Sequence, residues 1–249
     1  MRIFFFGSLI IIFISGSTAV FSDSMRFGEF LCTQPQYQCR EIEKEESWAS
    51  IWEEPEKQNQ IKRLNRMNIK LKPGMKIAVP LDKNFFEDSN NFPFPSKIGT
   101  SGEKQIQVDL SILAWAAYDE EGHLLKWGPA SGGKAWCPDI HAKCRTPSGK
   151  FYLIEKGGVS CKSHKFPIPK GGAPMPYCMF FKKGYALHGS PEVPGYHASH
   201  GCVRLFKEDA QWLNEQFTKN QNPEKEPGPI KIIIHPYSDL VSDKNHPFH

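Results

Sequence analysis

The stretch from Tyr185 to Phe206 reads YALHGSPEVPGYHASHGCVRLF. It gathers His188, His197, His200 and Cys202 among glycines, prolines and serines. A cysteine attacks an acyl group as its thiolate. It needs a base within hydrogen-bond reach, a group that orients the base, and donors for the oxyanion that develops. Candidates for each part are present. Cys202 is the candidate nucleophile. His188 closes the apolar run Tyr185–Leu187, so a strand would carry it. His200 lies two residues from the cysteine. Gly201 lets a substrate approach the backbone closely, and the N–H groups around Gly201 and Cys202 are candidate oxyanion donors. Arg204 is of the type that grips a carboxylate with two prongs. His197 reads as a loop residue. A second chemistry is open, because His188, His197, His200 and Cys202 are all zinc-ligand types. Structural zinc sites, however, pair closely spaced ligands twice over, and only one such cluster is seen here.

Whether a free thiol is meaningful depends on the compartment. The chain opens MRIFFFGSLIIIFISGSTAVFSDS: Arg2, an apolar run from Ile3 to Ile14, then small residues. That is the order of a secretory signal over 1–22, cleaved after Ala19 or Ser22. An uncleaved anchor is the alternative; either way the rest is expected in the periplasm or cell envelope. Exported chains keep disulfides. Of the seven cysteines, six form local couples: Cys32 with Cys39, Cys137 with Cys144, and Cys161 with Cys178. Local closure is the simplest pairing, and each bridge would stabilise the fold by roughly 2–4 kcal/mol. Cys202 is left over. A couple that stays reduced or binds metal is the competing arrangement.

These groups need a scaffold. Of the 249 residues, 39% are hydrophobic and 23% charged, enough for a packed core. The net charge of +4 is mild and forms no basic run, which argues against nucleic acid. Residues 105–237 read as the main domain. IQVDLSILAWAAYD and LLKWGPAS are strands about a turn, GKFYLIEKG and GYALHGS are further strands, and PIKIIIHP is a buried one. KEDAQWLNEQF is a helix with Ala210, Leu213 and Phe217 on one face. Mostly strands with one flanking helix predicts a mainly β fold. Before it, residues 23–82 form a small module. Trp48, Ile51 and Trp52 share a helical face, as do Ile61, Leu64 and Met67, and KPG turns into the short strand MKIAVP. Residues 83–104 read as linker and 238–249 as a loose tail.

HGS followed by SHGCVRL, together with CRTPSGKFYL and MPYCMFFKKGYALHGS, resembles the signature of the L,D-transpeptidase family, whose catalytic domain is of the YkuD type. The resemblance covers roughly Gln105 to His235. It implies a β-sandwich-like catalytic fold acting on peptidoglycan stem peptides, with no metal and no cofactor. Cys202 would attack the carbonyl before a terminal D-amino acid. The resulting thioester would be resolved by an amine of another stem peptide or protein, by a D-amino acid, or by water. A thioester keeps the energy of the cleaved amide where no nucleotide supplies any. The resemblance makes His188 the base, oriented by a backbone carbonyl. His200 would shape the oxyanion hole or a proton path, and an exchange of roles with His188 stays open. Ser199, Gly201 and Gly189 fix the loop and the hole; Arg204 and Tyr185 contact substrate, or Arg204 braces the site. The couples at 137/144 and 161/178 depart from the family pattern and would staple loops beside the donor groove. In the N-terminal module, LNRMN…LKPGMKIAVP resembles a LysM domain, a carbohydrate-binding α+β fold. That resemblance makes glycan strands a second partner and Trp48 or Trp52 sugar-stacking candidates. A helical adaptor packed on the main domain is the other reading. A wall-binding adhesin and a cysteine hydrolase are the rival functions. Nothing in the sequence indicates an oligomeric state.

Overall fold

The computed structural model describes residues 25–99, 102–219 and 229–237. The expected signal segment and the C-terminal tail lie outside the described residues.

The N-terminal unit comprises α1 (Phe27–Leu31), β1 (Tyr37–Glu41), α2 (Trp48–Ile51), α3 (Pro55–Leu64) and β2 (Lys76–Pro80). β1 and β2 pair antiparallel, with Tyr37 opposite Pro80 and Cys39 opposite Ala78. Ser47 caps α2 by accepting the Ser50 N–H, and Pro55 opens α3, where its missing N–H costs nothing. Ile42, Trp48, Ile61, Met67 and Ile77 form the core between helices and strands. The order is therefore β-α-α-β, with an opening strand that no alternation announces, since only Tyr37 in β1 is buried. Trp48 is buried and its indole N–H donates to the Ile69 carbonyl at 2.9 Å. It anchors this core and presents no open ring face to a sugar.

The main domain contains β3 (Gln105–Asp109), β4 (Ala114–Tyr118), β5 (Leu124–Ser131), β6 (Gly149–Tyr152), β7 (Glu155–Lys156), β8 (Met179–Lys182), β9 (Tyr185–Gly189), β10 (Val203–Leu205), α4 (Lys207–Trp212) and β11 (Lys231–Ile234). Nine strands run in the order β6-β11-β3-β4-β5-β10-β9-β8-β7. β6 and β7 sit at opposite edges, yet only Leu153 and Ile154 separate them. The Leu153 N–H donates to Ile230 beside one edge, and the Ile154 N–H to Phe180 in β8 near the other, at 2.9 and 2.8 Å. Adjacent residues can bond to both edges only if the sheet curls until its edges meet. The result is mainly β and sandwich-like, as the motifs imply.

Inside the curl, α4 continues through one π turn, Leu213–Phe217. Ala210, Leu213 and Phe217 pack there against Trp115, Leu187, Val203 and Ile232. β4 is buried on both faces. Trp115 and Ala117 enter this core, whereas Ala114, Ala116 and Tyr118 pack on Phe27, Leu31 and Leu64 of the N-terminal unit. The sequence read as one strand from Ile106 to Asp119 is instead the hairpin β3–β4. Its reversal is hidden because Leu110, Ile112 and Leu113 are buried, with Leu113 at φ +52. Asp109 holds the turn by accepting the Ser111 N–H and hydroxyl at 2.9 and 2.6 Å. The expected linker is packed as well: Phe94 is buried in the shared core, and Pro95 accepts the Tyr118 hydroxyl at 3.0 Å.

Candidate active site

β9 and β10 lie parallel, with Val203 beside Leu187 and Arg204 beside His188. Side chains alternate across a strand. Leu187, Val203 and Leu205 point into the core, so His188, Ala186 and Arg204 face the other way. Cys202, one residue before β10, falls on that same face, level with Ala186. Cys202 and His188 are thus diagonal neighbours on adjacent strands, roughly 8 Å apart at the backbone from strand spacing and rise.

His188 is buried, and its Nδ1 lies 2.9 Å from the Gly189 carbonyl. That contact places the ring proton on Nδ1 and leaves the Nε2 lone pair as the basic site. Burial pushes the His188 pKa down to about 4; the Gly189 carbonyl opposes the shift and the Arg204 charge adds to it. For Cys202, burial pushes the thiol up, against the smaller effects of the Ala186 backbone and the Arg204 charge. Both shifts favour the neutral form, of the thiol and of the imidazole alike. The Sγ lies 3.8 Å from the Gly184 carbonyl.

The loop carrying the thiol is tied at many points. Ser199 Oγ accepts the Gly201 N–H at 3.0 Å and donates to the Cys202 carbonyl. The Gly201 N–H is therefore engaged inside the loop, which corrects its expected place among the oxyanion donors. Gly201 has φ +121, and a Cβ there would meet the Tyr185 ring at 2.6 Å; only glycine fits. Half-buried Tyr185 supports the loop from below. Gly189 acts through its carbonyl on His188, while its N–H donates to Pro176 at 2.8 Å. Arg204 donates to the Glu192 carbonyl at 3.2 Å and lies 3.7 Å from its carboxylate, the bracing position.

His200 turns elsewhere. Its Nε2 is 2.7 Å from Asp139 and its ring stacks on Phe166 at 4.3 Å. Burial opposes ionisation of Asp139, but the His200 contact outweighs it and holds the carboxyl below the usual range. Asp139 belongs to the loop closed by Cys137–Cys144 and Phe166 to that closed by Cys161–Cys178. His200 thus clasps both stapled loops to the thiol loop. Cys32–Cys39 is the third bridge and Cys202 is free. Cys178 precedes β8, whose register sets it beside His188 on the strand side opposite Arg204.

The four zinc-type residues do not converge. His197 is buried with its ring 5.0 Å from that of Tyr237. Among the described residues the group spaced for a metal is Cys137, Asp139 and His200, and the Cys137 sulfur is bonded to Cys144.

Three contributors escaped the sequence reading. The SGGK segment, Ser131–Lys134, laces the thiol loop: Ala198 and Ser199 donate to Gly132, and Lys134 to Ser199, each at 3.0 Å. A Cβ on Gly133 would lie 1.7 Å from the Cys144 carbonyl, so its double glycine was the available signal. Asp139 and Phe166 had none, being single residues in irregular loops.

Residues 103–233 match the YkuD family, the L,D-transpeptidase catalytic domain. The chain belongs to that family. Among solved structures it is similar to the L,D-transpeptidase of Xylanimonas cellulosilytica, at 22% identity and TM-score 0.44, over 57% of this chain and 65% of that one. It is also similar to an L,D-transpeptidase of Mycobacterium smegmatis, at 22% identity and TM-score 0.41, over 54% and 59%. A third is that of Stackebrandtia nassauensis, at 20% identity and TM-score 0.42, over 57% and 60%. The match spans less than two thirds of each of these chains. No curated protein matches.

Proposed function

We propose that the protein is an L,D-transpeptidase that acts on peptidoglycan stem peptides through a thioester on Cys202. The observation that carries this is the free thiol on one sheet face with an imidazole whose Nδ1 is fixed by Gly189. His188 Nε2 takes the thiol proton as sulfur adds to the carbonyl preceding the terminal D-residue. The imidazolium then gives that proton to the departing amine, and the thioester remains. An incoming amine repeats the steps in reverse, returning the thiol and forming the new amide. Arg204 and Ser199 hold strand and loop in register during both halves.

Intact-protein mass spectrometry with a stem tetrapeptide tests this. The wild type should gain the mass of the tripeptidyl group as a hydroxylamine-labile adduct, and Cys202→Ala should gain none while keeping its circular dichroism. An adduct on the alanine variant, or none on the wild type, rejects the thioester. Adding an acceptor amine then separates crosslinked from trimmed product, hence transferase from hydrolase. The proposed location is the periplasm or envelope, supported by three disulfides and the N-terminal apolar run.

We also propose that the N-terminal unit contacts glycan, as its LysM-like sequence implies. A cleft of about 310 Å³ lies against β1 and is lined by Gln36, Tyr37, Asp82, Phe85, Asn91 and Phe92. Aromatic faces beside amides and one carboxylate suit a neutral saccharide. Phe92→Ala should weaken binding to wall sacculi and leave acylation by a soluble tetrapeptide unchanged. Undiminished sacculus binding rejects the cleft.

A further inference from the structure

The turn after His188 is held from outside the catalytic domain. Asn68, in the segment after α3, makes three hydrogen bonds to it. Its backbone N–H donates to the Val193 carbonyl at 3.0 Å. Its Oδ1 accepts the Val193 N–H at 2.9 Å, and its Nδ2 donates to the Ser190 carbonyl at 3.0 Å. Met67 and Pro194 form a bridge beside it, and the Phe27 N–H donates to Gly195 at 2.8 Å. From the other side the same turn is held by Arg204 on Glu192 and by Leu205, which accepts the Ser190 N–H at 2.8 Å. The Ser190–Val193 turn is therefore clamped between the N-terminal unit and β10.

That turn begins one residue after Gly189, whose carbonyl fixes the His188 ring. The direction of a carbonyl is set by the peptide plane it belongs to, here the one shared with Ser190. We propose that Asn68 is a positioning residue for the reaction: it locks the Ser190–Val193 turn, and thereby the Gly189 carbonyl and the tautomer of His188. An amide fits this task because it offers acceptor and donor together. An alanine would leave the Val193 N–H and the Ser190 carbonyl without these side-chain partners, and the turn would loosen. The N-terminal unit would then be a wall of the catalytic site as well as a neighbour of it.

The kinetic half of the test rests on the transpeptidase reading; the spectroscopic half does not. In Asn68→Ala, kcat for acylation by a tetrapeptide should fall roughly 10- to 100-fold with KM within about twofold, the mark of lost alignment. Asn68→Asp keeps the acceptor for Val193 and should fall in between. Nitrogen NMR of labelled protein without substrate should show His188 as the Nδ1–H tautomer in the wild type and as a mixture in Asn68→Ala. Residues with a purely structural role lower the melting temperature and leave the tautomer alone. An unchanged tautomer overturns the proposal, as does a wild-type kcat in Asn68→Ala. If that variant does not fold, Asn68→Asp carries the same two readouts. A wild type that shows the tautomer but no acylation would reject the transpeptidase reading and leave the clamp standing.

Discussion

Two histidines close in sequence to one thiol are separated by what their rings touch. His188 is buried and fixed by a carbonyl, whereas His200 is partly exposed and paired with Asp139. The burial of His188 has a consequence for pH. Its folded pKa of about 4 lies below the ordinary 6.5, so the unfolded chain binds the proton more readily. The stability gained by keeping this ring neutral is intact above pH 6.5 and is lost as pH falls through the window down to about 4. Fully expressed, the difference is about 3 kcal/mol. Catalysis should follow the same ring. Because the base must be neutral, the acid limb of kcat/KM should lie near pH 4, well below an ordinary histidine. His200→Ala should keep that limb, since the His200 ring is taken up by Asp139 and Phe166. A limb well above pH 4 in the wild type that is lost in His200→Ala would instead make His200 the base.

The elements that carry chemistry were more legible than those that carry the fold. β9 and the thiol loop could be read because imidazoles, glycines and a cysteine crowd one stretch of chain; the types offered a cysteine nucleophile or a zinc site, and the resemblance to the L,D-transpeptidase signature chose between them. The flanking helix showed its face through Ala210, Leu213 and Phe217, which do pack inside the sheet. Other elements were silent for physical reasons. β1 buries a single residue, so it has no period to detect. The β3–β4 reversal lies inside the protein, and the buried Leu110, Ile112 and Leu113 carry the apolar run through it, so Asp109 and Ser111 did not stand out as a turn. β8, Met179–Lys182, was visible only as part of a family motif, because its pairing with β9 depends on residues later in the chain. Segment 83–104 looked loose since its anchors are single residues, Phe94 and Pro95, that meet partners far away. Asn68 and Asp139 lie in the same class. A lone polar side chain gains meaning only when a distant loop reaches it.

At the scale of the molecule, the N-terminal unit and the catalytic sheet share a core and a set of buried charges. Arg66 is fully enclosed, and burial lowers its pKa to about 9. Its guanidinium lies between the rings of Phe27 and Trp127, at 4.8 and 5.0 Å, and donates to the Ile112 carbonyl at the β3–β4 turn. One side chain therefore touches both units. Beside it, Arg63 of α3 grips Asp209 of α4 with two hydrogen bonds, 2.6 and 3.0 Å, and donates to the Trp127 carbonyl at 3.1 Å. Asp209 is fully buried, and Lys126 adds a contact at 3.2 Å. Removing one member of a buried pair strands the other charge in a low-dielectric site, at about 3–5 kcal/mol. Arg63→Ala should fall at the lower end, about 3 kcal/mol, because Lys126 still faces the carboxylate. The coupling also fixes the form of the transition. If the two units unfold together, urea denaturation followed by tryptophan fluorescence and by loss of Cys202 acylation should give coincident curves, both shifted in Arg63→Ala. A fluorescence step that shifts while acylation keeps its wild-type midpoint would show that the N-terminal unit can detach from a working catalytic sheet. That result would also remove the support on which the Asn68 clamp depends.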